Sequence, residues 1–461
     1  MAPPQSFLLE TLLVGFVPSV TAVRQSQRQK PAAPAQRRRP PASHIRRRIQ
    51  SSDGFAVSLS LRNCPEIEDI LSRILLGWRL ETEASNQPAE IGVARVGRAY
   101  CVSAPWLAQA VCETSAVGSV CNLIIELVHA YLVANPSMLC LHCGAAAFGG
   151  KAVIFPSTHR AGKSTLMACL AYRGHRVIAD DVMPVAEAAG HCVALGIAPR
   201  PRFPLPEGAS DGFREYVRSH AGPGDGYYQY VPLPPERLAP QGTHVPIGAI
   251  VLLERDAGAS AAFEPVPRSE ALQALIMQNF ARRQPASAIL SRLHKLLRGV
   301  PIVRLRYGDI EAAGMALSDA FGAWPTTLLL SASGPSTNVA PAQGPAKSRA
   351  RTARPKFAGT ARFHRKVGIK ARSVEGETFL ADPEGTTIFR LNALGASIWS
   401  LLREPISLKE AEDTICFAFP DHPRAAIAAD VANLFGDLAR AGLIDMQRGN
   451  TRRRKSQVRK S

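Results

Sequence analysis

The sequence predicts an α/β core built around one strand, loop and helix, followed by a linker and a small α+β domain. Three observations carry this prediction. Residues 153–155 form a short apolar run, residues 156–162 a loop, and residues 163–173 a helix with Gly174 as its stop. A second apolar run, 177–179, ends in the acidic pair Asp180 and Asp181, where a strand would emerge beside the first in an α/β sheet. Residues 331–360, rich in Ser, Pro, Ala and Arg, are too polar to pack and read as a linker between two folded parts.

The first of these elements holds phosphate chemistry. Ala161, Gly162, Lys163, Ser164 and Thr165 read AGKST at the start of the helix. Backbone N–H groups there lie at the positive end of the helix dipole and can hydrogen-bond a phosphate. In such a P-loop, Lys163 would place a charge at the β/γ-phosphates of ATP and the Ser164 hydroxyl could ligate Mg²⁺. The usual motif opens with Gly six positions before the Lys, where this chain has Ser157, and Arg160 stands where related loops often have Gly. On the residues alone, a capped helix after a strand remains the alternative.

Neighbours on an extended chain point to opposite faces, so one of Asp180 and Asp181 is expected to face the phosphates as base or Mg²⁺ partner while the other braces the loop. A pair that merely ends a strand is the structural alternative. Upstream, residues 139–148 and 151–155 read as a hairpin turning at Gly149 and Gly150, which brings His142 near the first strand as a catalytic candidate or a satisfied structural histidine. Cys140 and Cys143 make the one CxxC. Side chains at that spacing on a strand face opposite ways and no second CxxC completes a zinc set.

His142, the AGKST loop and RGHRVIADD at 173–181 together resemble the catalytic domain of HPr serine kinase/phosphorylase. The resemblance implies a fold akin to phosphoenolpyruvate carboxykinase, binding of ATP with Mg²⁺, and an aspartate that accepts the proton of a target serine. It assigns Lys163 and Ser164 to the nucleotide loop, Asp180 to the base, Asp181 to its acidic neighbour and His142 to the histidine before the loop; Asp181 and Ser164 are the metal candidates. Where that family has a glycine-rich stretch with a metal-binding glutamate, this chain has CVALGIAPRPRFPLP with Arg200 and Arg202, so phosphorolysis is not expected. The likeness runs over residues 139–320 and its motifs end at Asp181.

At 461 residues the chain is long enough for about three units. The expected division is an N-terminal basic extension (1–52), a lobe preceding the core (53–137), the catalytic domain (138–330), the linker (331–360), a C-terminal domain (361–446) and a basic tail (447–461). The net charge of +18 is concentrated outside the folded parts. Residues 1–52 have nine basic residues and one acid, 331–360 five and none, 447–461 seven and none, which leaves the remainder slightly acidic. Such runs make solvated, weakly specific contacts rather than a nucleic-acid groove.

Residues 7–20 are apolar but too short to span a bilayer, contain Glu10 and lack a basic leader, so the extension is read as disordered or lying on a membrane surface. Nine cysteines without framework spacing suggest reduced thiols and a cytoplasmic location. In the lobe, strands are expected at 56–61, 91–96 and 100–102, and a helix at 118–133 with Val120, Ile124, Leu127 and Tyr131 as its core stripe. After Asp181, a strand at 247–254, helices at 269–281 and 286–297 and a strand at 302–306 continue the α/β pattern. The tyrosines of GYYQY at 226–230 are read as packing.

Beyond the linker, residues 362–391 offer three short strands with turns at 375–376 and 382–385. Helices follow at 392–402, at 408–419 with a Ser407/Glu410 capping box, and at 423–441 with Ile427, Val431, Leu434 and Leu438 in line. The order is winged-helix-like. LNALGASIWSLL, the Asp430-Val431 pair and the AGLI ending resemble PqqD-like domains over residues 363–446, and the resemblance implies binding of the leader of a ribosomally made peptide for a modifying enzyme. The middle helix sets Lys409 against Glu410, Glu412 and Asp413, too acidic for a DNA recognition helix, so an exposed strand edge is the better surface, to which an extended peptide can add.

The sequence therefore points to an ATP- and Mg²⁺-dependent kinase acting on Ser or Thr of a small protein or precursor peptide captured by the C-terminal domain, with other peptide-modifying enzymes as further partners and no specific nucleic acid. Two alternatives stay open. One is a non-catalytic nucleotide-binding peptide carrier; the other is a nucleic-acid-binding regulator using the winged helix and basic tails.

Overall fold

The computed structural model describes residues 9–13, 44–84, 88–156, 162–186, 190–280, 284–325, 361–382, 385 and 387–447. The linker, most of the N-terminal extension and nearly all of the basic tail lie outside them. The chain divides into two compact units.

The larger unit, 14–284 with 292–334, is mixed α/β and contains two sheets. One has six strands. His44–Gln50 pairs with Ala56–Arg62 and Arg79–Thr82, and the sheet continues through Ile91–Val96 and Ala99–Ser103 to Val111–Glu113. The expectation of a disordered extension over 1–52 is corrected at 44–50 here and at 9–13 in the smaller unit, where strands form. In HIRRRIQ the arginines mask a strand whose Ile49 is fully buried.

Against this sheet packs the helix Ala116–Ala134, begun by Ser115, whose hydroxyl accepts the Gly118 N–H at 3.1 Å. Its stripe Val120, Ile124, Leu127 and Tyr131 is buried as expected, each side chain contributing about 1.5–3 kcal/mol. Among the described residues it is the helix long and apolar enough to cross a membrane, and more than half of it is taken up by this core. The same core extends into Cys140, Leu195, Ala198, Tyr230 and Phe280, so the lobe and the second sheet share one apolar interior.

The nine-stranded sheet centres on the long strand His244–Arg255, which runs parallel to Lys151–Phe155 on one side and to Ile302–Tyr307 on the other. Gly144–Phe148 and Lys151–Phe155 form the expected hairpin, turning at Gly149 and Gly150, both with positive φ. Two expectations need correction. The strand Leu139–Phe148 is broken at His142 and Cys143: Leu139–Leu141 joins Met183–Val185, whereas Gly144–Phe148 stays with the hairpin. The strand Arg176–Ala179 does not lie beside Lys151–Phe155, because the antiparallel strand Gly144–Phe148 sits between them.

Cys101 and Cys112 meet in register on neighbouring strands and are disulfide-bonded, against the expectation of nine reduced thiols; the other seven are free. Of the GYYQY tyrosines, Tyr230 packs inside while Tyr227 is exposed.

The smaller unit, 1–13 with 285–291 and 335–461, carries a four-stranded and a three-stranded sheet and the expected three helices, Ala393–Leu401, Leu408–Ala418 and Arg424–Arg440. The Ser407 hydroxyl accepts the Glu410 N–H and the Glu410 carboxylate accepts the Ser407 N–H, so the capping box forms. Lys370–Val374, Glu377–Ala381 and Thr387–Leu391 make an antiparallel sheet, turning at Glu375 and Gly376. Arg362–Arg365, expected in that sheet, pairs instead with Ile406–Ser407 and Ile444–Met446, because Phe363 is drawn onto Phe435 in the helical core. Leu9–Leu13 joins the hairpin sheet along Thr387–Leu391.

Candidate functional site

The site is assembled where the strand Lys151–Phe155 passes into the helix Lys163–Tyr172. Residues 157–161, and with them Ser157, Arg160 and Ala161, lie outside the described residues, so the phosphate loop is described from Gly162 onward. Gly162 is the N-cap at φ 76°, a left-handed conformation glycine takes without strain, and its carbonyl accepts the Leu166 N–H at 2.9 Å. Lys163 therefore stands in the first helical position. It is buried, at 8 % exposure, while Ser164 is half-buried and Thr165 buried with the packed face of the helix.

Burial lowers the pKa of Lys163, and the charges of Asp181 and then Asp180 push it back up. The lysine thus sits in the field of both acids. Burying an ammonium is costly unless carboxylates or phosphates offset the loss of water.

Asp180 follows the strand Arg176–Ala179 and is itself buried. Burial, and after it the Asp181 charge, push its pKa up to about 7; the Arg200 backbone N–H and the Ser164 hydroxyl act in the opposite direction. Its Oδ2 accepts the Arg200 N–H at 2.9 Å, so Asp180 is the carboxylate that braces the neighbouring loop. Its Oδ1 is buried with no hydrogen-bond partner among the described residues.

Asp181 is more open, its side chain 41 % exposed, and it faces His142, with Nε2 3.8 Å from Oδ1. That separation is too long for a hydrogen bond but within reach of an ion pair when the imidazole is protonated. His142 stands at the strand break, its backbone N–H donating to the Gln278 carbonyl at 2.7 Å. All three expected catalytic residues, Asp180, Asp181 and His142, are thus connected directly or in sequence, and Lys163 and Ser164 act on the same carboxylates.

Sequence reasoning gave no role to two residues at this place. Arg200 lies over the Tyr228 ring at 4.5 Å and the Tyr230 ring at 5.9 Å. Burial opposes its charge, but Cys121, Tyr230, Asp181 and Asp180 more than reverse that, so it remains a cation beside the acid pair. Asn279 bridges to Leu141 next to His142 and is buried with neither side-chain amide atom hydrogen-bonded among the described residues. Its only sequence signal is an amide directly after an apolar helix.

Ser164, Asp180 and Asp181 offer oxygen donors of the kind a hard divalent cation takes, and the orphaned Asp180 Oδ1 fits such use. Among the described residues no group of three or more His, Cys, Asp or Glu could hold a metal by itself. A cation here would draw its other ligands from a bound phosphate and water. Cys140 and Cys143 are buried thiols, raised by burial, and make no metal set.

Residues 377–444 match the family model of coenzyme PQQ synthesis protein D (PqqD), so the C-terminal unit contains a PqqD-type domain. Among solved structures the chain is similar to TbiB1 in complex with the TbiA(beta) leader peptide, at 27 % identity and TM-score 0.17 over 18 % of this chain and 94 % of that one. It is also similar to the Hpr(Ser) kinase/phosphatase from Coxiella burnetii, at 12 % identity and TM-score 0.19 over 37 % of this chain and 79 % of that one. No curated protein matches it.

Proposed function

We propose that the chain is an ATP-dependent kinase of the HPr-kinase-like type that phosphorylates a serine or threonine of a small protein or ribosomally made peptide, captured through its PqqD-type domain. The observation that carries the reading is the buried Lys163 at a helix N-terminus, facing Asp181 and an Asp180 whose pKa is pushed up to about 7. Few structural roles require a cation and an acid to be withdrawn from water beside a second, more open acid, an arrangement that suits phosphoryl transfer.

In this mechanism the N–H groups at the start of the helix and the Lys163 ammonium hold the phosphates of ATP. Asp180 Oδ1 takes the proton of the acceptor hydroxyl; with its pKa pushed up to about 7 it is a stronger base than a solvated carboxylate, and about half of it is ionised at neutral pH. Asp181 maintains that pKa and pairs with His142 when the imidazole is charged. Mg²⁺, when bound, would be held by Ser164 and Asp181 and would neutralise charge developing on the transferred phosphoryl group. Arg200, in the stretch that has no match to the resembled family's metal-binding glutamate, supplies a positive charge beside the acid pair, which favours forward transfer over phosphorolysis.

The PqqD-type domain supports a peptide acceptor, since an extended segment can add to a strand edge through main-chain hydrogen bonds. The linker then keeps captured substrate at roughly millimolar effective concentration near the site. Single-turnover incubation of the full chain with γ-labelled ATP, Mg²⁺ and an array of serine- and threonine-containing peptides tests the reading. Label on a hydroxyl residue is expected, and Asp180→Asn should bind ATP yet transfer about 10²–10⁴-fold more slowly. ATP binding without transfer to any acceptor would favour the non-catalytic carrier.

A further inference from the structure

The smaller unit contains a strand that does not come from the PqqD-type domain. Residues Leu9–Leu13, LETLL, pair antiparallel with Thr387–Leu391 along its full length, from Leu9 opposite Leu391 to Leu13 opposite Thr387. The sheet therefore runs from Leu9–Leu13 through Thr387–Leu391 and Glu377–Ala381 to Lys370–Val374. Without the first strand, Thr387–Leu391 would be the sheet's edge. The residues matched to PqqD start at 377 and end at 444, so the added strand is supplied from the far end of the sequence.

An edge strand carries a row of unpaired N–H and C=O groups that accepts almost any extended segment of suitable length. Here that row is taken. Thr387–Leu391 is a well-anchored template, with Ile388 and Leu391 fully buried and Phe389 nearly so. The backbone of Leu9–Leu13 also passes close to that of the helix Arg424–Arg440, so the segment runs between a strand and a helix.

Its hold is nevertheless limited. Five residues form few ladder hydrogen bonds, and ordering them costs about 1–2 kcal/mol per residue of backbone entropy. What keeps such a short strand in place is its covalent attachment to the chain, which gives an effective concentration on the order of millimolar. A tethered, weakly held strand can be displaced.

We propose that the strand edge of Thr387–Leu391, on which the proposed peptide capture relies, is held closed by the chain's own segment 9–13 acting as a tethered, displaceable competitor. An incoming segment of the same chemistry, extended and leucine-rich with one acidic residue, must displace it. Glu10 stands opposite Arg390 in the register, whose guanidinium donates to both Glu377 carboxylate oxygens, so an acidic residue is tolerated at that place of the incoming segment and a second cation there is disfavoured. The inference rests on the peptide-capture half of the proposed function and is independent of phosphoryl transfer.

The test uses a fluorescent peptide with the sequence of residues 7–15, FLLETLLVG, titrated by anisotropy into the full chain and into the chain lacking residues 1–13. The shortened chain should bind it, and the full chain should bind it about tenfold more weakly or worse, because the tethered copy competes. In the peptide, Glu10→Lys should lower affinity severalfold. A second route leaves the chain intact. Alternate residues of a strand point their N–H at a given neighbour, so of Glu10→Pro and Thr11→Pro in the full chain one removes a ladder donor and should open the edge to the peptide. Hydrogen exchange at Thr387–Leu391 reads the same event: protection should fall on deletion or proline substitution and return with peptide. Equal affinity for full and shortened chains, or no binding to a shortened chain whose melt shows it folded, would overturn the inference. Peptide exchange at this edge without transfer from ATP would leave it standing and count against the kinase alone.

Discussion

Among the described residues, the buried charged side chains lie in the larger unit and none lies in the smaller. In the larger one Lys163 and Asp180 are buried, and the acid's pKa is moved far from that of a solvated carboxyl. In the smaller one Arg424 faces Glu412 and Asp413, Arg362 faces Glu410, and Arg440 faces Asp437, at exposed or half-buried positions, and the least exposed pair, Arg390 with Glu377, is still only half-buried. Surface pairs contribute little and are weakened further by salt, whereas buried charges lower stability unless something else is gained. The comparison supports the proposed division of roles, with chemistry in the first unit and association in the second, where backbone edges would matter more than ion pairs.

The largest effect that would break this contrast is at Lys163. Lys163→Ala is expected to reduce ATP affinity by roughly a hundredfold or more without unfolding the chain, since a desolvated charge is being removed rather than a packing residue. A cooperative melt near that of the wild type should accompany the loss. A large drop in melting temperature with unchanged ATP affinity would make Lys163 a structural residue.

Next in size is the pH dependence set by Asp180. Its pKa is pushed up to about 7 in the folded chain against 3.8 for a solvated aspartate, so the folded state binds the extra proton between those values. Its contribution to stability is fully present below about pH 4 and is lost as pH rises through about 7. Asp180→Asn should flatten that part of the stability profile, measured by denaturant melts from pH 5 to 8. An unchanged slope would show that another group carries it.

The Asp181 charge is part of what raises Asp180, so Asp181→Asn should return Asp180 toward the ordinary carboxyl range. The acid limb of the single-turnover rate would then move to lower pH. A limb that stays in place would assign the titration elsewhere. At the small end, Arg424→Ala breaks an exposed pair and should leave thermal denaturation unchanged within error, most clearly at high salt. A clear destabilisation would erase the difference between the units.

Much of this was readable from residues because the signals were local. The stripe of Val120, Ile124, Leu127 and Tyr131, the Ser407/Glu410 capping box and the glycine turn at 149–150 each lie within a few residues and appear as expected. Pairing over long range was not readable. Nothing local to GAAAF states that it will separate the strand of Asp180 from that of the AGKST helix, and nothing in LETLL states that it will pair with residues far along the chain. The helix Asp211–Ser219 escaped for another reason. Only Phe213 and Val217 mark its buried face, too few for a periodicity, although Ser210 caps it by accepting the Phe213 N–H. At the site, residue types and spacing identified Lys163, Ser164 and the acid pair. The placement of Arg200 and Asn279 depends on loops and a bridge that only the folded chain brings together.

Lys163 and Asp180 are withdrawn from water beside the more open Asp181, and under the proposed function a nucleotide is what they serve. Calorimetric titration of the full chain with ATP, with and without Mg²⁺, tests it most directly when wild type, Lys163→Ala and Asp180→Asn are run side by side. The account predicts Mg²⁺-dependent binding by the wild type, retained by Asp180→Asn and lost by Lys163→Ala. No heat of binding in a folded wild type, or equal binding by wild type and Lys163→Ala, would contradict it.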